Sequence, residues 1–394
     1  MSGWKVVPLG FCASEVRNKN IGGREENLLS LSYGNIVRKD IDSTKGLLPG
    51  SFDTYNIVEA GDTVLRLTDL QNDQRSLRVG LVNETGIITS AYVSIRPRSG
   101  LDARFLNYYL KNMDFRKDFY ALGAGVRQSL RFEELRRIAI PVPPMHEQRA
   151  IADYLDIKTV QIDALIAKKI QMKEVLEERE AAKRDAVVLS VAGGPTCSLR
   201  WLLRESISDG PHETPEFVDN GVPFLSVDNI VDSQVVFDGC RMISKEDHVR
   251  YCRKLRPGLG DVLITKAASV GKVALVEDQR DFNIWSPIAV LRTDKSVLLP
   301  EFLWQYLRTR MAQRELSLGS TNNTQQNISM RDLGSLRVPV VSIQDQRKVC
   351  EQLREEVWGL LKTIEDSVTV LRERRQALIT AAVTGEFEVP RVAA

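Results

Sequence analysis

Two textures of apolar and polar positions alternate along this chain, and each occurs twice. Between residues 61 and 95, short apolar runs are cut by turn residues: Gly61-Asp62-Thr63-Val64-Leu65, Gly80-Leu81-Val82, and Ile87 to Ile95. Between 260 and 291 the texture returns as Gly260-Asp261-Val262-Leu263-Ile264, Gly271 to Val276, and Ile284 to Leu291. β-Branched and apolar runs bounded by Gly, Asp and Asn predict strands, because such side chains suit a pleated, half-buried surface. A short helix follows each group. Phe105, Leu106, Tyr109 and Leu110 match Phe302, Leu303, Tyr306 and Leu307, an i, i+1, i+4, i+5 face that docks on a sheet. The spacing then changes to alternating threes and fours. Ile151, Leu155, Ile162, Leu165, Met172 and Leu176 form one stripe; Leu353, Val357, Leu360, Ile364, Leu371 and Leu378 form the other.

The joint between the two textures is itself repeated. Ile140-Pro141-Val142-Pro143-Pro144-Met145-His146-Glu147-Gln148-Arg149 is answered by Val338-Pro339-Val340-Val341-Ser342-Ile343-Gln344-Asp345-Gln346-Arg347. Pro144 suits a first helical turn, and Ser342 with Asp345 resembles an imperfect capping box. Glu147 and Asp345 place negative charge where the helix dipole favours it. Gly193-Gly194-Pro195 and Gly385 stop the two helical stretches. At ~1.5 Å per residue each helix is on the order of 60 Å long. One apolar stripe leaves such a helix marginal alone, so its partner is the other copy. Isologous pairing of two repeats implies a pseudo-twofold and antiparallel helices. The expected fold class is α+β. Two similar α+β domains, 1–145 and 193–343, are separated by long antiparallel coiled-coil-like helices, 146–192 and 344–385, with a tail at 386–394.

Composition adds little until it is read locally. Over 394 residues, 54 basic and 52 acidic side chains leave a net charge of +2, and 43% hydrophobic content supports two ordinary cores. Arg241, Lys245, Arg250, Arg253, Lys254 and Arg256 form one basic cluster; Arg66, Arg75, Arg78, Arg96, Arg98 and Arg104 form another. Each reads as a solvated face or as half of a polyanion-binding pair. No membrane span or signal core is apparent. The five cysteines show no C-x-x-C spacing, and with three scattered histidines they make no zinc framework. Free, mostly buried thiols in a reducing cytoplasm are expected.

Catalytic signatures are missing. Gly271-Lys272 lacks the rest of a phosphate-binding loop, Gly123-Ala124-Gly125 lacks the third glycine of a dinucleotide fingerprint, and no Asn/Asp-Pro-Pro-aromatic sequence occurs. No catalytic or metal-ligating residue is therefore expected. Side chains able to read bases are present in three loop sets. The first is Asn322, Asn323, Gln325 and Gln326, aligned with Arg127 and Gln128; Asn and Gln pair with adenine and Arg with guanine, although a polar loop reads equally well. The second is Arg66, Arg75 and Arg78 with Lys266, Ser269 and Lys272, read either as phosphate grips or as solvated turns. The third is Tyr33 and Asn35 with Asp228 and Asn229, where Asn229 serves equally as a structural turn residue.

With these residues in hand, the chain resembles the DNA specificity subunit of type I restriction-modification systems. The resemblance lies in Ile140 to Pro144 followed by Glu147-Gln148-Arg149-Ala150-Ile151-Ala152, in Gln376 to Gly385, and in Gly260-Asp261-Val262-Leu263-Ile264-Thr265. It extends over nearly the whole chain. Two departures stand out: Val341-Ser342 replaces Pro143-Pro144, and Ala267-Ala268-Ser269 stands where the family often has a glycine. The resemblance implies a non-catalytic, double-stranded DNA-binding protein of the cytoplasm. Each domain would read one half of an asymmetric bipartite site, and the helices would fix the spacing. They would also dock two methyltransferase subunits, with Gln148, Arg149, Gln346 and Arg347 on the docking helices. Restriction/translocase subunits are further candidate partners, and S-adenosylmethionine and ATP would belong to the partner subunits. The alternative reading is a helical scaffold that pairs two proteins and binds no DNA.

Overall fold

The computed structural model describes residues 3–41, 49–70, 77–122, 129–322, 326–353 and 357–390. By contact the chain divides into two units, Met1–Gln171 with Thr363–Ala394, and Met172–Lys362. Both long helical stretches are thus shared between units. In chain order, the first unit is framed by β1 (Lys5–Pro8), β2 (Ala13–Glu15), β3 (Thr63–Leu65), β4 (Val79–Leu81), β5 (Val93–Pro97), α1 (Ala103–Phe115) and β6 (Ala139–Val142), followed by α2 (Met145–Val191). The second is framed by β7 (Thr196–Ser198), β8 (Ser208–Asp209), β9 (Val262–Thr265), β10 (Val273–Leu275), β11 (Ile288–Leu291), α3 (Pro300–Leu307) and β12 (Arg337–Pro339), followed by α4 (Ile343–Gln352) and α5 (Val357–Thr384).

The two frames are the same α+β construction. Each has an antiparallel four-stranded sheet, ordered β2-β5-β3-β4 in one unit and β8-β11-β9-β10 in the other. Each also pairs its first strand with its proline strand, β1 with β6 and β7 with β12. Alternation along β9 explains why the second sheet is covered on both faces. Val262 and Ile264 join the core beneath α3, where Phe302, Leu303, Tyr306 and Leu307 sit, while Leu263 joins Leu225, Phe282 and Ile284 on the other side. In the first unit Phe105, Leu106 and Leu110 of α1 pack with Leu65, Val79 and Ile95.

Two predicted strands are each divided. The run Ile87 to Ile95 breaks where Thr89 turns the chain, its carbonyl accepting from the Tyr92 N–H (3.2 Å); the strands are Gly86–Ile88 and β5. Ile284 to Leu291 breaks at Trp285-Ser286-Pro287, because proline has no N–H for the ladder. Gly61 and Gly260 stand at matching turns with φ of 95° and 84°, a region that costs any side chain. The aspartate after each is a buried brace. Asp62 accepts from Arg96 Nε and Nη2 (2.7 and 2.8 Å), and Asp261 accepts from the same atoms of Arg292 (2.8 and 2.7 Å).

α2 and the shorter α4 are each tied to their domain by a glutamine. The Gln148 carbonyl accepts from the Asp102 N–H (2.7 Å), and its amide donates to the carbonyls of Gly100 (3.0 Å) and Pro143 (2.8 Å). Gln346 repeats this with the Leu299 N–H (2.8 Å), Val297 (2.9 Å) and Val341 (2.8 Å). Both side chains are fully buried, which corrects the expectation that Gln148 and Gln346 face a partner; the neighbouring Arg149 and Arg347 are exposed. Ser342 caps α4 as expected, accepting from the Asp345 N–H (3.1 Å).

Within the first unit the helical segments run antiparallel. Tyr154 meets Phe387 with ring centroids 5.9 Å apart, and Asp163 meets Arg375 at 2.8 Å, so contacts ascend α2 as they descend the C-terminal segment. Thr380 adds a 2.6 Å hydrogen bond to Asn112 of α1. The apolar stripe is buried at Ile151, Leu155 and Ile162, whereas Leu165 and Met172 keep 50% and 49% of their surface exposed. In the second unit Val188 shares a core with Val349 and Leu353. Among the described residues no helix is long and apolar enough to cross a membrane.

The duplicated clamp sets an expected cost. Gln346→Ala strands three backbone groups at about 1–3 kcal/mol each when buried, partly relieved by entering water. We expect it to destabilise the chain by about 3 kcal/mol in urea unfolding; a loss below about 0.5 kcal/mol would remove the clamp from the account.

Lys111 of α1 yields a second expectation. Burial, aided by Arg375, pushes its ammonium down to about 8, against the pull of Asp163, Asp156 and Asp114. The unfolded value is roughly 10.4, so the unfolded chain binds more protons between these pH values, and the penalty is present in full below pH 8. Lys111→Met should therefore raise the melting temperature at pH 7. The gain should shrink as pH rises from 8 towards 10; a gain that does not vary with pH would count against this assignment.

Candidate nucleic-acid interface

At the end of β9 the chain enters a turn closed by Thr265. Its hydroxyl donates to the Ser269 carbonyl and accepts from the Lys272 N–H (2.9 Å), and Ala268 is held at φ 66°. That position is in the left-handed region, which costs an alanine roughly 1–2 kcal/mol. Gly271 takes φ 94°, which strains any side chain, and an added Cβ would also push on the Gln313 amide, 2.7 Å from its Oε1.

The second unit brings three predicted loop sets together. The Ile328 N–H donates to the Lys266 carbonyl (2.8 Å), and Ala267 bridges to Asn327, seating the hairpin Thr321–Asn322/Gln326–Asn327 beside the Lys266–Lys272 turn. Lys272 Nζ in turn donates to the Val227 carbonyl (3.3 Å), joining the turn that carries Asp228. Asp228, Ser269 and Lys272 are exposed. Asn323 and Gln325 lie outside the described residues, and of Asn322 and Gln326 the backbone pairing is what the structure describes.

The first unit uses the same plan. The Leu130 N–H donates to the Leu67 carbonyl (2.9 Å), and Asp69 takes the left-handed place of Ala268 with φ 56°. The Tyr33-Gly34 turn lies alongside, since a Cβ on Gly34 would sit 3.1 Å from Leu77 Cβ. Tyr33 is 85% exposed, Asn35 is exposed, and Arg66 is half-buried. Arg75, Arg127 and Gln128 lie outside the described residues.

Three predicted contacts are corrected. Arg78 is fully buried: its Nη1 donates to the carbonyls of Arg66 (3.0 Å) and Thr68 (2.9 Å), Nη2 donates to Asp69 (3.3 Å), and the guanidinium covers the Tyr120 ring. A rigid fork of donors braces the loop from within. Asn229 is the turn residue, accepting from the Ser226 N–H (2.9 Å) and donating to the Val236 carbonyl (3.1 Å). Lys266 is mostly buried, with Nζ 3.3 Å from Asp209. Asp209, itself buried, also holds Lys254 (2.6 Å) and His212 (3.3 Å).

Charge is also redistributed by folding. Of the cluster beginning at Arg241, Arg250 pairs with Glu213 (2.8 Å), Lys254 with Asp209, and Arg256 with Asp281 (2.6 Å). Sequence reading missed Asp209 and Asp62, although the repeated Gly-Asp before an apolar run could have flagged Asp62 with Asp261. Among the described residues no group of three or more His, Cys, Asp or Glu side chains could hold a metal ion, and the five cysteines are free and half-buried.

Comparison with known proteins points to one family. The chain is 24% identical over 286 residues to the EcoBI type I restriction enzyme specificity subunit of Escherichia coli, covering 64% of this chain and 59% of that protein. It is 23% identical over 324 residues to the EcoKI specificity subunit of Escherichia coli K12, covering 74% and 67%. The chain thus spans less than two thirds of the length of the first of these relatives. A chain solved in a study of complex assembly and conformational transition of the type I R-M system superposes with a TM-score of 0.62, covering 98% of this chain and 99% of that one at 18% identity. That likeness is one of fold. The model of the type I restriction modification DNA specificity domain matches residues 79–174 and 212–366. With a match in each unit, the chain belongs to the family of type I restriction-modification DNA specificity domains.

Proposed function

We propose that this chain is the sequence-specific, non-catalytic DNA-binding subunit of a type I restriction-modification complex in the cytoplasm. Each globular domain reads one half of an asymmetric bipartite site in double-stranded DNA. The long helices fix the spacing and dock two methyltransferase subunits, with restriction/translocase subunits joining the assembly. S-adenosylmethionine and ATP belong to those partners. The observation that carries the reading is the loop cluster of each unit. One framework, the pair of backbone bonds from Leu130 to Leu67 and from Ile328 to Lys266, presents different side chains in the two units. A constant frame with variable exposed loops is what reading two different half-sites requires, since base-edge contacts discriminate while phosphate contacts only position.

The decisive experiment exchanges residues 195–340 for those of a relative of different specificity, then sequences the methylome of cells that also express the partner subunits. One half-site should change and the other persist; a change in both halves would sink the reading. At finer grain, Lys272→Ala should weaken binding to all duplex sequences alike. It should also lower the slope of log affinity against log salt by about one. An unchanged slope would place Lys272 away from the phosphates.

A further inference from the structure

We infer that each unit carries an aromatic–arginine anchor for one copy of the same protein partner. That partner is the methyltransferase subunit of the proposed function, on which this inference rests. The two anchors occupy equivalent places. Val6 lies opposite Pro141 and Thr196 opposite Pro339, while the Leu9 N–H donates to the Ile138 carbonyl (2.8 Å) and the Leu199 N–H to the Leu336 carbonyl (2.9 Å). Leu9 and Leu199 are both fully buried; two residues further on, Phe11 and Trp201 expose 75% and 74% of their surface.

An arginine accompanies each aromatic, supplied from opposite sides. In the first unit Gly10 lies against Arg136, and a Cβ on the glycine would be 3.0 Å from Arg136 Cβ. In the second, the place of Gly10 is taken by Arg200 and that of Arg136 by Gly334, whose added Cβ would be 3.4 Å from Arg200 Cβ. Phe11 and Arg136 line one cleft of about 440 Å³, and the Arg200 guanidinium is 5.8 Å from the Trp201 ring centroid. The same pair of groups is therefore assembled from exchanged positions.

The chemistry favours one protein partner used twice. The loops that present side chains to DNA differ between units, whereas these anchors agree, so their ligand is the same at both. Exposed large aromatics beside arginine are the residue types that dominate protein interfaces. The first cleft sets Arg136 and Arg137 against Glu133, which is itself paired with Arg17 (3.3 Å), and the second patch carries Arg200, so each is net cationic and fits an apolar pocket rimmed by carboxylates. It is also continuous with the docking elements, because β6 and β12, paired with the strands that precede each anchor, lead directly into α2 and α4.

The test co-purifies the full chain with methyltransferase subunits and counts copies by native mass spectrometry at a just-saturating concentration. The wild type should carry two. Phe11→Ala and Trp201→Ala should each carry one and the double variant none, with affinity weakened at least tenfold per site. Phe11→Trp and Trp201→Phe should retain two. Arg136→Glu and Arg200→Glu should reproduce the losses, and the melting temperature of each isolated variant should match the wild type. A double alanine variant that keeps both copies overturns the inference. So does one that keeps both copies while losing DNA affinity, which would assign the anchors to nucleic acid. A wild-type chain that takes up no methyltransferase subunit overturns the functional reading together with this one.

Discussion

A helix attached to a domain through one short strand would be free to swing, and the buried amides of Gln148 in α2 and Gln346 in α4 remove that freedom. Each ties three backbone groups that belong to two other parts of the domain: the turn before α1 or α3, and the joint that follows the proline strand, at Pro143 or Val341. An amide suits the task because it offers an acceptor and two donors in one plane, and full burial makes each bond costly to lose. The Asp62–Arg96 and Asp261–Arg292 pairs repeat the device within the sheets. Loops can differ between the units because the frame that holds them does not.

Much of this frame was legible in the chain. The two textures locate sheets and helices, Pro300 opens α3 where the apolar face begins, and the proline joints mark where strand becomes helix. These are local signals, set by neighbours a few residues away. What escaped was decided across distance. Gln148 looks like a helix-surface residue until Gly100 and Asp102 close over it, and Arg78 looks like a surface cation until three carbonyls and Tyr120 surround it. The divided strands are intermediate. Pro287 in the run could have announced the second break, whereas the first rests on a turn at Thr89 that composition does not distinguish.

Charge patterning failed for the same reason. The cluster around Arg250 is strongly basic along the chain and much less so in space, because Asp209, Glu213 and Asp281 arrive from other segments. Exposed, lightly committed cations such as Lys272, Arg149 and Arg347 are fewer than the sequence count suggests. Exposed pairs such as Arg250–Glu213 and Arg256–Asp281 add little net stability but cancel the local charge. The Asp209 group shows the trade: a lysine positioned to grip a ligand is instead spent inside the fold.

The division of the helices between units has a consequence for synthesis. Residues 172–362 form an uninterrupted stretch, so that unit is complete as soon as it has left the ribosome. The unit begun first must wait, because Ile379, Ala382 and Val383 belong to its core beside Ile151 and Leu155. Until they arrive, an apolar strip stays open to water and to neighbouring chains on the same messenger, the condition in which nascent proteins aggregate or exchange segments. The part of the molecule that is translated first is the last to be finished.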